Sequence, residues 1–238
     1  MHGRRERKVL SLGMAMTPSE LIVADVTKGR RRRLIGAAAG VVGPASFVGG
    51  WVAAGATRPA YSPLREAISQ LAREGAPHRG LMTTAFVAFG VTVPVFAPVL
   101  AESIDAGKAL RVSATVAGLT TLGVAAAPLS ASGAGSIDLV HGAFATLGYV
   151  GMALSPMFGA LALRRRGNMG AAMASAVVGL VSATSLVATA FVADVGLCQR
   201  LGLGVVDAWF VVMAIWILVS VKDETPDDRA GQSARASM

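Results

Sequence analysis

The chain has 238 residues, of which 53% are hydrophobic and 15% charged, against roughly 25% charged in an average soluble domain. Aromatic residues contribute only 5%, so a large soluble core would lack big packing side chains, whereas helices in lipid tolerate this Ala, Val, Leu and Gly content. The single cysteine, Cys198, excludes an intrachain disulfide framework, a thiol pair and a cysteine-based zinc cluster.

The first 33 residues read as a basic cytoplasmic tail, partly disordered, in which Thr17, Pro18 and Glu20 form a capping box that predicts a short helix through Val26. Met14 and Met16 are alternative translation starts. Six apolar stretches follow: Leu34 to Gly55, Leu81 to Leu100, Val112 to Leu129, Leu139 to Leu163, Ala171 to Ala193, and Val205 to Val221, the last with a start as early as Gly196. At about 1.5 Å rise per residue, crossing a core about 30 Å thick takes about 20 residues. Runs of this length without turn signals are helical. The first stretch exceeds the usual h-region of about 7 to 15 residues, so it reads as a retained anchor and not as a signal peptide. The expected fold is therefore an all-α polytopic membrane protein: six transmembrane helices over residues 34–221, then a disordered cytoplasmic tail, residues 222–238.

Between the first two spans, Ser62 and Pro63 make a helix start and Gly75 with Pro77 a stop. A short amphipathic helix of about three turns is expected there, with Leu64, Ile68, Leu71 and Ala72 on one face. It would lie along the outer membrane surface or cap the bundle. Small residues at four-residue spacing, Gly36 and Gly40 in the first span and Ala171, Ser175, Gly179 and Ala183 in the fifth, mark close packing faces. Pro44, Pro94, Pro98, Pro128 and Pro156 are expected to interrupt helices at membrane depth.

Of the 22 Lys and Arg residues behind the net charge of +8, seventeen fall on one side of this topology and five (Arg58, Arg65, Arg73, Arg79, Arg200) on the other. Both termini should then face the cytoplasm, in a multi-pass protein of the plasma membrane. The run Arg30 to Arg33 is a juxtamembrane anchor to membrane lipids. A nucleic-acid arm is not needed to explain it.

The ionisable residues that lipid would penalise gather toward the outer face: Asp138 and His141 at the start of the fourth span, Asp194 ending the fifth, Arg200 after it, and Asp207 about one turn inside the sixth. The expected structural pairing joins Arg200 to an aspartate and His141 to Asp138. The functional reading makes Ser69, Asp138, His141, Arg200 and Asp207 the lining of an outward-facing polar vestibule that binds a lipid or small solute without catalysis. A zinc site from His141, Asp138 and one of Asp194, Asp207 or His78 is nominally available, but its ligand spacing is unspecific. One intramembrane histidine does not suffice for bis-histidine haem, and no P-loop, GxSxG or dinucleotide fingerprint sits at a usable place. No cofactor is expected. The alternatives are a membrane-embedded lipid hydrolase, with His141 as ligand or general base and Asp138 orienting it, and a small-solute transporter carrying protons on Asp207. Ser69 and Ser132 have no nucleophile motif around them.

Gly43-Pro44 in the first span, Tyr61-Ser62, Ile68-Ser69-Gln70-Leu71, Phe86 and Gly90, His141-Gly142, and Gly196-Leu197-Cys198-Gln199-Arg200 ahead of Trp209 follow one another in an order that resembles the domain of unknown function 998 family of prokaryotic membrane proteins. The resemblance covers about Leu34 to Val221. It implies a compact multi-span helical protein without an established activity, and it singles out Tyr61, Ser69, His141, Arg200 and Trp209.

Overall fold

Backbone amides and carbonyls have no water to bond in a bilayer, so apolar runs of this length must satisfy them internally, as helices. In the computed structural model, which describes residues 18–223, the helices are α1 (Pro18–Ala56), α2 (Arg79–Ser103), α3 (Gly107–Ala126), α4 (Ser136–Arg165), α5 (Met169–Ala188) and α6 (Val195–Asp223), with no strand among the described residues. All six are long and apolar enough to cross a membrane. Successive helices pack side by side, and α6 returns against α1 to close a ring. Helix α6 also touches α2 and α4, so its buried face reaches the middle of the bundle, where Phe210 meets Phe96 edge-on with ring centroids 6.0 Å apart.

The small residues seat neighbouring helices as their spacing implied. A Cβ on Gly40 would stand 2.7 Å from the Phe96 ring, and one on Gly179 2.5 Å from Met157. At Gly151 a Cβ would lie 2.7 Å from the Ser113 carbonyl oxygen, so α3 and α4 meet backbone to backbone. Ser175 accepts a hydrogen bond of 2.9 Å from the indole N–H of Trp209, tying α5 to α6.

Several boundaries differ from expectation. The helix begun at Pro18 does not stop at Val26 but runs unbroken into the first span, so Arg30 to Arg33 lie on α1 and not in a tail. Nothing between Val26 and Leu34 ends a helix, since Lys and Arg are good helix formers. Thr17, the rest of the N-terminal segment and residues 224–238 lie outside the described residues. Pro44, Pro94, Pro98 and Pro156 are inside helices, whereas Pro128 follows α3 in a loop. Helix α5 ends at Ala188, earlier than its apolar run, and α6 begins at Val195, close to the earlier of its two expected starts.

The first loop departs most. Instead of three helical turns it holds one turn from Ser62 to Glu66, closed by the Glu66 carboxylate on the Ser62 N–H at 2.9 Å, and then a 3₁₀ helix, Ile68–Ala72. Ile68, Leu71 and Ala72 are buried as their pattern required, but Leu64 is exposed. The cause is tertiary: backbone groups that an α-helix would pair internally are taken by side chains of α6.

At the opposite end, where α1 begins and α2 and α4 finish, Arg32 forks onto Glu102. Arg166 bonds the Ser103 carbonyl at 2.7 Å and stands 3.5 Å from Asp105. This is the basic end of the bundle; the end carrying the first loop is the loop end.

Candidate functional site

At the loop end, Arg200 sits in the second turn of α6 with its guanidinium 5.1 Å from the Trp51 ring centroid and 5.4 Å from that of Tyr61. Its Nη1 donates to the carbonyls of Pro63 (2.6 Å), Glu66 (3.0 Å) and Gly196 (3.0 Å), and its Nη2 to the Tyr61 hydroxyl. Tyr61 in turn donates toward the carbonyls of Glu66 and Ala67. Burial raises the Tyr61 pKa, offset in part by the Arg200 cation, so the phenol keeps the proton that it donates. Arg58 completes the clasp by bonding the Gln70 carbonyl at 3.1 Å. Arg200 therefore fastens the first loop to α6 and α1. Among the described residues it pairs with no aspartate, contrary to the expected balance.

Beside the clasp, Gln199 Oε1 accepts the Ile68 N–H at 2.6 Å and its amide donates to the Tyr149 hydroxyl of α4. One side chain thus joins the 3₁₀ segment, α6 and α4. These polar groups at the head of α6 explain how a helix can begin so early: the loop consumes them, and water is not required.

His141, buried in the second turn of α4, does not bond Asp138. Its Nδ1 lies 2.7 Å from the carbonyl of Ala127, the residue that caps α3. A carbonyl only accepts, so Nδ1 carries the proton, and in the neutral ring Nε2 is left as an acceptor. Asp138 is spent elsewhere. Its carboxylate receives the Ser130 N–H and hydroxyl at 2.7 and 2.6 Å and the Gly135 N–H at 2.6 Å, folding the loop between α3 and α4 onto the start of α4. Placing the two side chains three residues apart on a helix suggested a pair, but each finds a stronger local partner in that loop.

Under the first loop lies a cavity of about 60 Å³, walled by Phe47, Phe86, Phe89, Phe144, Met152 and Leu203 and edged by Ser69, His141, Tyr149 and Gln199. That is space for several water molecules or one narrow chain. Of its polar groups, Gln199 and Tyr149 are engaged with each other. The Ser69 hydroxyl and His141 Nε2 have no hydrogen-bond partner among the described residues. Two of the five expected site residues, Ser69 and His141, are thus brought together on one cavity, whereas Asp138, Arg200 and Asp207 are outside its wall.

Asp207 is 2% exposed, and neither carboxyl oxygen has a hydrogen-bond partner among the described residues. It lies seven residues beyond Arg200, as Pro44 lies seven before Trp51, so the Arg200 and Trp51 contact puts Asp207 and Pro44 at one depth, about 10 Å further into the bundle. Among the described residues no group of three or more His, Cys, Asp or Glu comes together as a metal would need. Asp138 and His141 point to different partners, so the nominal zinc set is not assembled.

Gln199 and Tyr149 were not singled out from the sequence. Gln199 stands between the fifth apolar run and Val205, and Tyr149 sits inside an otherwise apolar span. The usable signal was that Tyr149 is one of two tyrosines in the chain, and a hydroxyl at membrane depth needs a partner.

The family model described as protein of unknown function (DUF998) matches residues 41–216. No curated protein and no solved structure shows significant similarity to the chain.

Proposed function

Since the chain belongs to the DUF998 family, whose description carries no activity, we propose its function from the cavity: non-catalytic binding of an amphipathic lipid or small solute at the loop end. One observation carries this reading. A cavity with an apolar, phenylalanine-rich wall presents an uncommitted acceptor, His141 Nε2, and an uncommitted hydroxyl, Ser69. Sites for small molecules combine apolar walls with a few polar groups that fix orientation. The ligand class is therefore a molecule with a narrow apolar part and a hydroxyl or amide that donates to His141. The polar vestibule gives way to a mainly apolar pocket, which Arg200 serves by holding the loop closed above it.

Native mass spectrometry of the detergent-purified full chain tests this. The wild type should carry a co-purified small molecule, and both His141→Ala and the cavity-filling Ala145→Leu should lower its occupancy about tenfold or more. A wild type that carries nothing, or equal occupancy in all three proteins, ends the proposal.

The shared cavity also supports a second reading, a lipid hydrolase in which His141 is general base toward Ser69 or water. The Ala127 carbonyl, not Asp138, would then orient the ring. Turnover of a lipid panel that is lost in both Ser69→Ala and His141→Ala would favour it over simple binding.

We further propose that the basic end faces the cytoplasm, with the protein in the plasma membrane. The support is the excess of Lys and Arg at that end, which resists translocation. With Cys198 changed to Ser, a cysteine at Gln70 should react with an impermeant thiol reagent on intact cells, and one at Asn168 only after lysis. Labelling at Asn168 from outside overturns the orientation.

A further inference from the structure

On the bundle surface at the basic end, a groove of about 480 Å³ runs between α2 and α3, lined by Pro94 and Pro98 on one side and Lys108, Arg111, Val112, Thr115 and Val116 on the other. The α3 residues follow the spacing of a single helix face and extend about 12 Å along the axis. The stripe is sorted by depth. Lys108 and Arg111 occupy the first turns of α3, at the membrane edge, and the uncharged residues continue inward from them.

Acidic residues stand close by, since Glu102 and Asp105 border the same end of the groove. Each already has a cation: Arg32 forks onto Glu102, and Arg166 stands beside Asp105. Lys108 and Arg111 have no ion pair or hydrogen bond among the described residues. The mouth of the groove thus has two surplus positive charges, above a trough whose proline rings and short side chains leave room for a chain.

We propose that this groove is a binding site for an anionic phospholipid of the surrounding leaflet, its phosphate between Lys108 and Arg111 and one acyl chain along Val112, Thr115 and Val116. The charge calls for an anion, and the apolar trough beneath it selects a lipid over a free phosphate. The site is separate from the loop-end cavity, at the other end of the helices, and does not depend on the function proposed for that cavity.

The test is native mass spectrometry of the full chain in detergent, titrated with palmitoyl-oleoyl phosphatidylglycerol or with the corresponding phosphatidylcholine. The wild type should retain phosphatidylglycerol in preference, with no displacement by millimolar inorganic phosphate. Each basic side chain near an anionic headgroup contributes a factor of about five, so Lys108→Gln with Arg111→Gln should weaken retention about 25-fold. Val112→Trp, which keeps both charges but fills the trough, should weaken it as well. Arg164→Gln with Arg165→Gln, which removes two charges from the same end outside the groove, should leave it unchanged. All these positions are exposed, and unchanged melting would show that the variants are folded. Equal retention of the two lipids, ready displacement by phosphate, full retention in Val112→Trp, or an equal loss in the Arg164 and Arg165 variant would each overturn the site.

Discussion

Replacing Arg200 by alanine should lower the melting temperature in detergent by about 10 °C. The guanidinium meets three carbonyls and a phenol and lies against two aromatic rings. Hydrogen bonds to a charged group contribute roughly 1.5 to 3 kcal/mol each when desolvated, and less where solvent reaches them, as at the Pro63 carbonyl. A net loss of about 3 kcal/mol is therefore expected, and for a chain of this size each kcal/mol corresponds to about 2 to 4 °C. Arg200→Lys should recover less than half, because an ammonium cannot serve several acceptors as a planar fork or stack on Trp51 and Tyr61. Arg65→Ala, an exposed arginine of the same loop, should stay within about 0.5 kcal/mol of wild type. A wild-type melting curve for Arg200→Ala would show that the clasp does not hold the loop. Because that loop supplies Ile68 and Ser69 to the cavity wall, the same variant should also lose whatever the cavity retains.

The clasp marks how far the fold was readable in advance. Six spans were legible because each is a long apolar run, uncharged but for Asp207 in the sixth, and a bilayer leaves such a run no conformation but helix. The packing faces of α1 and α5 were legible from small residues at four-residue spacing. What stayed hidden depends on partners distant in sequence. Ser62 to Gly75 has the local signals of an α-helix, yet Gln199 and Arg200, more than 120 residues away, claim its Ile68 N–H and its Pro63 and Glu66 carbonyls. The same two polar residues made the head of α6 look like loop, although the contacts that hide them from hydropathy let the helix form there. Of the residues that line the loop-end cavity, Ser69 and His141 stand out in the sequence by their type and place, but Tyr149 and Gln199 do not, since a hydrogen bond between α4 and α6 leaves no mark in either segment alone. Asp138 is obscured for the opposite reason: its partners Ser130 and Gly135 are close in sequence, but they bind it through backbone amides, which every residue but proline carries and no residue type signals.

Asp207 should be the position where a single substitution stabilises the protein most. It is buried within the bundle, and neither oxygen has a hydrogen-bond partner among the described residues. A buried polar group without a hydrogen bond costs roughly 1 to 3 kcal/mol. Leucine has the same branched skeleton with methyl groups in place of the two oxygens, so Asp207→Leu removes the unmet polar demand without a large change of volume. The expected gain is about 1 to 3 kcal/mol, or a melting temperature higher by several degrees. Asp207→Asn keeps polar atoms in the same place and should gain less than half of that. The contrast between the two variants isolates the missing partner as the cause, because both remove the possibility of a negative charge. If Asp207→Leu melts below the wild type, the carboxyl has a stabilising partner and the premise fails. If it melts higher, the protein tolerates a destabilising acid at the depth of Pro44, two turns beneath the clasp. An ionisable group kept at such a depth against its own stability is the usual mark of a functional position, so loss of the molecule retained by the full chain in Asp207→Leu, despite higher melting, would connect this acid to the loop-end cavity through α6.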